Sequence, residues 1–535
     1  MDFRKSVFLG AALTALSVLL PACSGSENAS SNMQMVEAKQ IGQFTNMADV
    51  GDVSISGNTV FDATQNTYTL TASGANIWGT QDAFQYVWKE MSGDVFASAD
   101  IKWVGEGKDL HRKAGIMIRE SLAPDARYAD VMIHGDGLVA LQYREERGGE
   151  TRQIFALQQN ASRVRLEKEG DYVFLSVADE DGIWRAAGGN MRIPFKDGFL
   201  VGLGVSAHDN TLTETAIFSD VSVQNVEMET VTETGYPAGV DSSLEILEVG
   251  NGARTVVHTS TDKFEAPNWS RDGSYLLFNG GGKIWKLPLN EGNPMSAGAP
   301  VAVNTGRHLK NNNDHGISPD GTQLIISDQS EADDFSRIYV LPIEGSDTPR
   351  LVMGHPDGRS YWHAWTPDGK TIAYTAQRPD ISQAYNIWAK DLAGGEEWRV
   401  TDSDVLDDGA DFSPDGQWLY FNSTRTGAMQ IWRTTMDGAK IEQITFDENF
   451  RDWFAHPSPD GKWLMMVSFA LDVDLTDHPP NRNVWLRIMP ADLSEPPRVV
   501  AKLFGGQGTI NVPSWSPDST RVAFVSYRLD RPDRP

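Results

Sequence analysis

The sequence predicts an all-β protein: an antiparallel β-sandwich of jelly-roll type in the N-terminal half, then a six-bladed β-propeller in the C-terminal half. Three observations carry this. A short turn of the type Ser-Pro-Asp-Gly recurs six times, with its aspartates at Asp272, Asp320, Asp368, Asp415, Asp460 and Asp518. Their spacings are 48, 48, 47, 45 and 58 residues, and a period in this range marks a repeat architecture. Residues 37–226 lack that turn but alternate apolar and polar side chains over many short runs, the period of half-buried strands.

Residues 1–23 read as a targeting segment. Arg4 and Lys5 precede an apolar run, Val7 to Leu20, that is too short to span a bilayer. Leu20-Pro21-Ala22-Cys23 then resembles a bacterial lipoprotein signal, which implies lipidation of Cys23, the one cysteine of the chain. A lone cysteine has no partner within the chain for a disulfide. Ser24 behind the cysteine implies, by the same resemblance, an outer-membrane anchor facing the periplasm or the surface. Residues 24–36 are small and polar and read as a flexible tether.

The alternating runs of residues 37–226 include 95–101, 114–119, 128–133, 138–143, 163–166, 172–177 and 199–205. Many strands with little helix indicate stacked antiparallel sheets. Their order, closing with Ala216 to Val221, resembles the concanavalin-like (laminin-G-like) lectin fold. That resemblance implies sugar binding, with Trp78, Trp88, Trp103, Tyr143 and Trp184 as stacking candidates; a half-buried Trp in such a sheet is more often core. His111-Arg112-Lys113 and Arg144-Glu145-Glu146-Arg147 read as solvated loop charges. Residues 227–242, with Gly235, Pro237 and Gly239, read as a linker.

Residues 243–528 form the propeller, and 529–535 a tail. In each turn Pro presets φ at the first corner, and Gly accepts a backbone conformation that other residues avoid. An apolar strand follows each turn, for example Leu324-Ile325-Ile326, and then a second strand such as Asn386-Ile387-Trp388 or Gln430-Ile431-Trp432. Four short strands per unit is a propeller blade. Six turns but five following outer pairs leave one pair to find. Ser243–Leu247 and Arg254–His258 supply it, so the first strands should pair with the last and close the ring. These units resemble the TolB-like family of bacterial envelope proteins over roughly residues 240–528. The same propeller carries binding proteins, peptidase domains and polysaccharide lyases, so the resemblance implies a fold more than an activity.

The residues ahead of each turn should lie at one end of the central channel. They bring Asp314, His315, His363, Asp408, Asp411, His456 and Asn511 toward one mouth, which Asp477, His478 and Gln507 join from long loops. His315 and His363 stand three residues before the Ser or Thr of the turn. His456 stands two before, on the opposite strand face unless a bulge intervenes. His315, His363 and His456 are the candidate ligands for a divalent metal (Mn, Zn or Ca), with Asp408 or Asp411 completing the set. A histidine in such a channel is equally served by a backbone or water partner.

A net charge of −27 argues against a nucleic-acid partner. Two function classes follow. One is a monomeric, lipid-anchored envelope protein that binds a glycan or a protein partner through its sandwich and propeller mouth. The other resembles oligogalacturonide lyases: a metal neutralises a uronate carboxylate, a base removes the adjacent proton, and Arg359 or Arg451 faces the acid sugar. No Gln-x-x-His pair like that family's ligand motif occurs, so no catalytic residue is assigned. The absence of Gly-x-Ser-x-Gly disfavours a serine hydrolase.

Overall fold

The computed structural model describes residues 41–178, 181–196, 198–227, 239–292 and 294–529. Cys23, the targeting segment, the tether and most of the expected linker (228–238) lie outside them. The described residues are β-structure with one 3₁₀ turn, Gln507–Thr509, and no helix among them is long and apolar enough to cross a membrane.

The six turns are built as their residues dictate. Ser318 Oγ donates to Asp320 Oδ1 at 2.6 Å and accepts the amide of Gln323 at 2.9 Å. Asp320 Oδ1 accepts the amide of Thr322 at 3.0 Å. The same bonds recur at Ser413, Ser458 and Ser516. Each turn therefore satisfies its own backbone donors and delivers the next strand in fixed register. At Asp272 the amide and hydroxyl of Ser274 hold the carboxyl down to about 2.

Five sheets of four or five strands follow as self-contained blades. Their innermost strands are Phe264–Trp269, Asn311–Ile317, Ser360–Trp365, Asp407–Phe412 and Arg451–Pro457. The expected sixth blade is corrected: no sixth separate sheet exists among the described residues. Val240–Glu248 does pair with Arg521–Leu529, Leu244 opposite Val525, as the closure required. The innermost position of that unit is reduced to one bridge, Trp515 to Val522. Pro513 lacks an amide hydrogen there, which limits ladder formation. The closing strands are instead continuous with a ten-stranded sheet, through parallel pairing of Ile154 and Phe155 with Arg254 and Thr255.

The N-terminal half contributes the rest of that sheet and a second, eight-stranded one. Val87, Ile116, Val131, Leu141 and Leu203 of the first share one apolar cluster with Leu70, Ala97, Leu166, Leu175 and Phe218 of the second. The two halves also meet through side chains. Arg528 reaches Glu167 at 2.5 Å and Glu169, Lys502 reaches Glu145, and Tyr172 Oη donates to Asn483 at 2.6 Å.

The reading of the charged runs as solvated holds for His111, Glu146 and Arg147, which are exposed, and is corrected for Arg112, Lys113 and Arg144. Arg144 is fully buried, Arg112 pairs with buried Glu214 at 2.6 Å, and Lys113 is buried with its ammonium on the Ile77 carbonyl. Each has lost water and gained acceptors, the usual condition for burying a cation.

All five innermost strands carry a register shift at the same place, between Glu265 and Asn268, Asn311 and His315, Trp362 and Ala364, Asp408 and Asp411, and Trp453 and His456. Ala266, Gly409 and Phe454 occupy the left-handed region at these bulges, with φ of 58°, 66° and 53°. At Gly409 a Cβ would stand 2.3 Å from Asn422 Oδ1, which accepts the Phe454 amide at 3.1 Å. Gly409→Ala is therefore expected to destabilise the protein by about 1–3 kcal/mol. Denaturant titration of the two proteins measures it, and an unchanged midpoint would show that Asn422 yields freely.

Candidate functional site

The bulges turn side chains of the innermost strands into a cavity of about 950 Å³ at one mouth of the propeller. Asp314, His363, Asp408, His478, Gln507 and Asn511 line it. His315, Asp411, His456 and Asp477 do not.

Asp408 is the centre of this site. Its Oδ1 accepts Thr375 Oγ1 at 2.7 Å and lies 3.1 Å from His363 Nε2, while Oδ2 lies 3.7 Å from His478 Nε2. Burial works against the Asp408 charge, but the two imidazoles outweigh it and hold the carboxyl well below the usual carboxylate range. Burial likewise opposes a charged His363. The Asp408 hydrogen bond, with the carboxylates of Asp408, Asp314 and Asp411, holds that imidazole above its ordinary value. Asp314 accepts Asn511 Nδ2 at 2.7 Å. Its burial pushes the carboxyl up to about 6, against the pull of His363 and the Asn511 amide. The mouth thus holds one firmly ionised and one readily protonated carboxyl, flanked by imidazoles. That set can exchange protons or hold a hydrogen-bonding cation.

The histidines outside the cavity are built into the wall. His456 has both ring nitrogens engaged, Nδ1 with Asp411 Oδ2 at 2.9 Å and Nε2 with the Ile510 carbonyl at 2.8 Å. A register shift in its strand does intervene, yet His456 is committed to these partners. His315 is fully buried with no side-chain partner. Burial drives it down to about 4, and the Asn313 backbone opposes only part of that. Asp477 turns back to accept the His478 amide at 2.8 Å. Among the described residues no three His, Cys, Asp or Glu side chains are spaced to hold a metal ion.

Sequence reasoning missed Tyr361, Tyr385, Gln383, Thr375 and Glu265, all of which line the mouth. Tyr385 and Gln383 arrive because Thr371–Arg378 and Ser382–Asp391 form a hairpin of eight- and ten-residue strands, longer than its counterparts in neighbouring blades. The polar run Ser382-Gln383-Ala384-Tyr385 before Asn386-Ile387-Trp388 was the available signal. Phe454 also lines the mouth. Its bulge sets the ring between His363 and His478, at 6.2 and 5.3 Å. Arg359 and Arg451 are not among the lining residues; Arg359 lies over the Phe335 ring and Arg451 donates to the Leu471 carbonyl.

Comparison with known proteins gives a consistent picture. The family model of the TolB beta propeller domain matches residues 364–499. An uncharacterized protein of Agrobacterium fabrum is 44% identical over 300 residues, which covers 56% of this chain and 97% of that protein. A solved TolB-like structure from Agrobacterium tumefaciens matches with 44% identity and a TM-score of 0.50, over 54% of this chain and 99% of its own. An oligogalacturonate lyase in complex with manganese matches at 16% identity and a TM-score of 0.34, over 50% of this chain and 75% of that one, which is too weak to bear on function.

Proposed function

This chain belongs to the TolB-like β-propeller family, and on that premise we propose that it is an envelope-associated binding protein. Its propeller mouth holds a glycan or a protein partner through a neutral polar or cationic group. One observation carries this reading. The mouth is lined by four carboxylates (Glu265, Asp314, Asp404 and Asp408) and two imidazoles, with no Lys or Arg among its lining residues. Such a field attracts ammonium and hydroxyl groups and repels carboxylates. Tyr361 and Tyr385, with ring centroids 6.2 Å apart, add two faces for an aliphatic stem or a sugar ring. In the same proposal the N-terminal sheets are a concanavalin-like module for handling glycans. Lipidation of Cys23 tethers the protein to the outer membrane.

The test titrates the unlipidated protein from Ser24 onward with trilysine, triglutamate, a neutral trisaccharide and trigalacturonate. Wild type should bind trilysine or the neutral trisaccharide, and Asp408→Asn should weaken that binding at least tenfold. Tight trigalacturonate binding that requires a stoichiometric divalent metal would overturn the reading in favour of a metal-dependent uronate lyase.

A further inference from the structure

The N-terminal half carries a second cavity, of about 420 Å³, with a chemistry opposite to that of the mouth. It lies on the outer face of the ten-stranded sheet, on the side of Lys113, His134 and Gln142. The alternate residues Ala114, Ile133 and Leu141 point into the apolar core instead. Lys113 and His134 stand opposite each other in register, and Gln142 stands opposite Gln153. His111 and His208 close the rim. The ring centroid of His111 is 6.0 Å from that of His134 and 5.6 Å from that of His208. Trp78 stands over the cavity with 36% of its surface exposed, and the Lys113 ammonium lies 5.1 Å from its ring centroid.

Two features mark this as a built site rather than a surface dimple. His134 is 4% exposed, yet neither ring nitrogen has a hydrogen-bond partner. Gln142 is fully buried, and its side-chain oxygen has none either, while its amide reaches Gln153 Oε1 at 3.3 Å. Buried polar atoms without partners are costly and few in native proteins. Both of these side chains line one cavity, where a ligand would satisfy them. His208, at the rim, also holds a left-handed φ of 59°, and its ring lies 3.1 Å from the Asp109 carboxylate.

The lining selects the ligand. One ammonium and three imidazoles line it against one lining carboxylate, Asp136, with Asp109 paired to His208 behind the rim and buried Asp130 beside Gln142 acting on Lys113, in a chain whose net charge is −27. That is a local donor-rich site for an anion. An exposed indole at its edge offers a flat apolar face of pyranose size. We propose that this cavity binds an anionic pyranose, one sugar unit carrying a carboxylate or a sulfate ester. Its ring lies on Trp78, and its charge meets Lys113, His134 and the rim histidines. The proposal extends the glycan reading to a second site that is separate from the propeller mouth.

The test is calorimetric titration of the protein from Ser24 onward with glucuronate, glucose 6-sulfate, glucose and inorganic sulfate. Glucuronate or glucose 6-sulfate should bind at least tenfold more tightly than glucose and inorganic sulfate, and which of the two binds identifies the anionic group. Trp78→Ala and His134→Gln should each weaken that binding at least tenfold, and Trp78→Phe should retain most of it. Trp78 is exposed, so its variants test binding without disturbing the core. Asp408→Asn should leave this binding unchanged even if it abolishes binding at the mouth. Equal affinity for inorganic sulfate would reduce the cavity to a bare anion site, and equal affinity for glucose would remove the role of charge. Loss of binding in Asp408→Asn would assign the ligand to the mouth. Any of these, or no binding at all, overturns the proposal.

Discussion

Asp82→Ala should lower the first thermal transition of the protein by about 10 °C, the largest stability effect expected from a single substitution. Asp82 holds two guanidinium groups at once. Arg144 Nη2 donates to its Oδ1 at 2.8 Å and Nη1 to its Oδ2 at 2.9 Å, and Arg119 Nη1 donates to Oδ2 at 3.0 Å. All three side chains are completely buried. Arg119 packs over the rings of Phe84 and Tyr128, and Arg144 over Tyr128. Burial works against the Arg144 charge, and the Asp82 carboxylate more than offsets it. Without that carboxylate two like charges share a buried pocket with only neutral acceptors, backbone carbonyls, the Thr151 hydroxyl and the Met117 sulfur, to receive them. Breaking a buried pair in this way costs about 3–5 kcal/mol, and at about 2–4 °C per kcal/mol for a unit of this size that is the stated shift. Asp82→Asn keeps one acceptor and should lose a substantial part of the same amount. Near-ultraviolet circular dichroism across a melt reads the transition. A melt within 1–2 °C of wild type would mean that water or a rearranged loop solvates both guanidiniums.

This triad also shows where the sequence stopped being informative. The Ser-Pro-Asp-Gly turns could be read because their bonds are local: a hydroxyl, a carboxylate and an amide within five residues decide the conformation. The apolar runs behind them could be read for the same reason. Asp82, Arg119 and Arg144 are 37 and 62 residues apart, and nothing in Arg144-Glu145-Glu146-Arg147 distinguishes a buried arginine from a solvated one. The blade count failed on a similar long-range event. The closing strands were identified correctly, but Arg254 and Thr255 are also annexed by Ile154 and Phe155, and Pro513 leaves the innermost strand as one bridge. At the mouth, the position before each turn pointed to the right end of the channel. Whether a histidine faced the cavity depended on its bulge and its partner in the next blade. His363 meets Asp408 and lines the cavity, whereas His456 meets Asp411 and the Ile510 carbonyl and is spent in the wall.

The two carboxylates at the centre of the mouth should respond to pH in opposite senses when they are neutralised. Asp408 has a folded value below its unfolded one. Its contribution to stability is therefore complete above about pH 4 and is lost only as pH falls through the depressed value. Asp408→Asn should then be less stable than wild type at pH 7. In that variant the His363 imidazole loses its hydrogen-bonding carboxylate, and its value should fall, with Asp314 and Asp411 left to oppose burial. Asp314 has the reverse sign. Its folded value of about 6 exceeds the model-peptide value of 3.8, so folding favours the protonated form. The cost of ionising it in place appears as pH rises above about 4 and is complete above about 6. It amounts to about 3 kcal/mol at 1.36 kcal/mol per unit. Asp314→Asn keeps an acceptor for the Asn511 amide and removes that cost. It should match wild type at pH 4 and exceed it in stability at pH 8. Denaturant midpoints at the two pH values, with the ring-proton titration of His363, separate the cases. If both variants lose stability equally at pH 8, the folded value of Asp314 is not raised above its unfolded one, and the centre of the mouth carries two ionised carboxylates down to about pH 4 rather than one carboxylate and, below about pH 6, one proton donor.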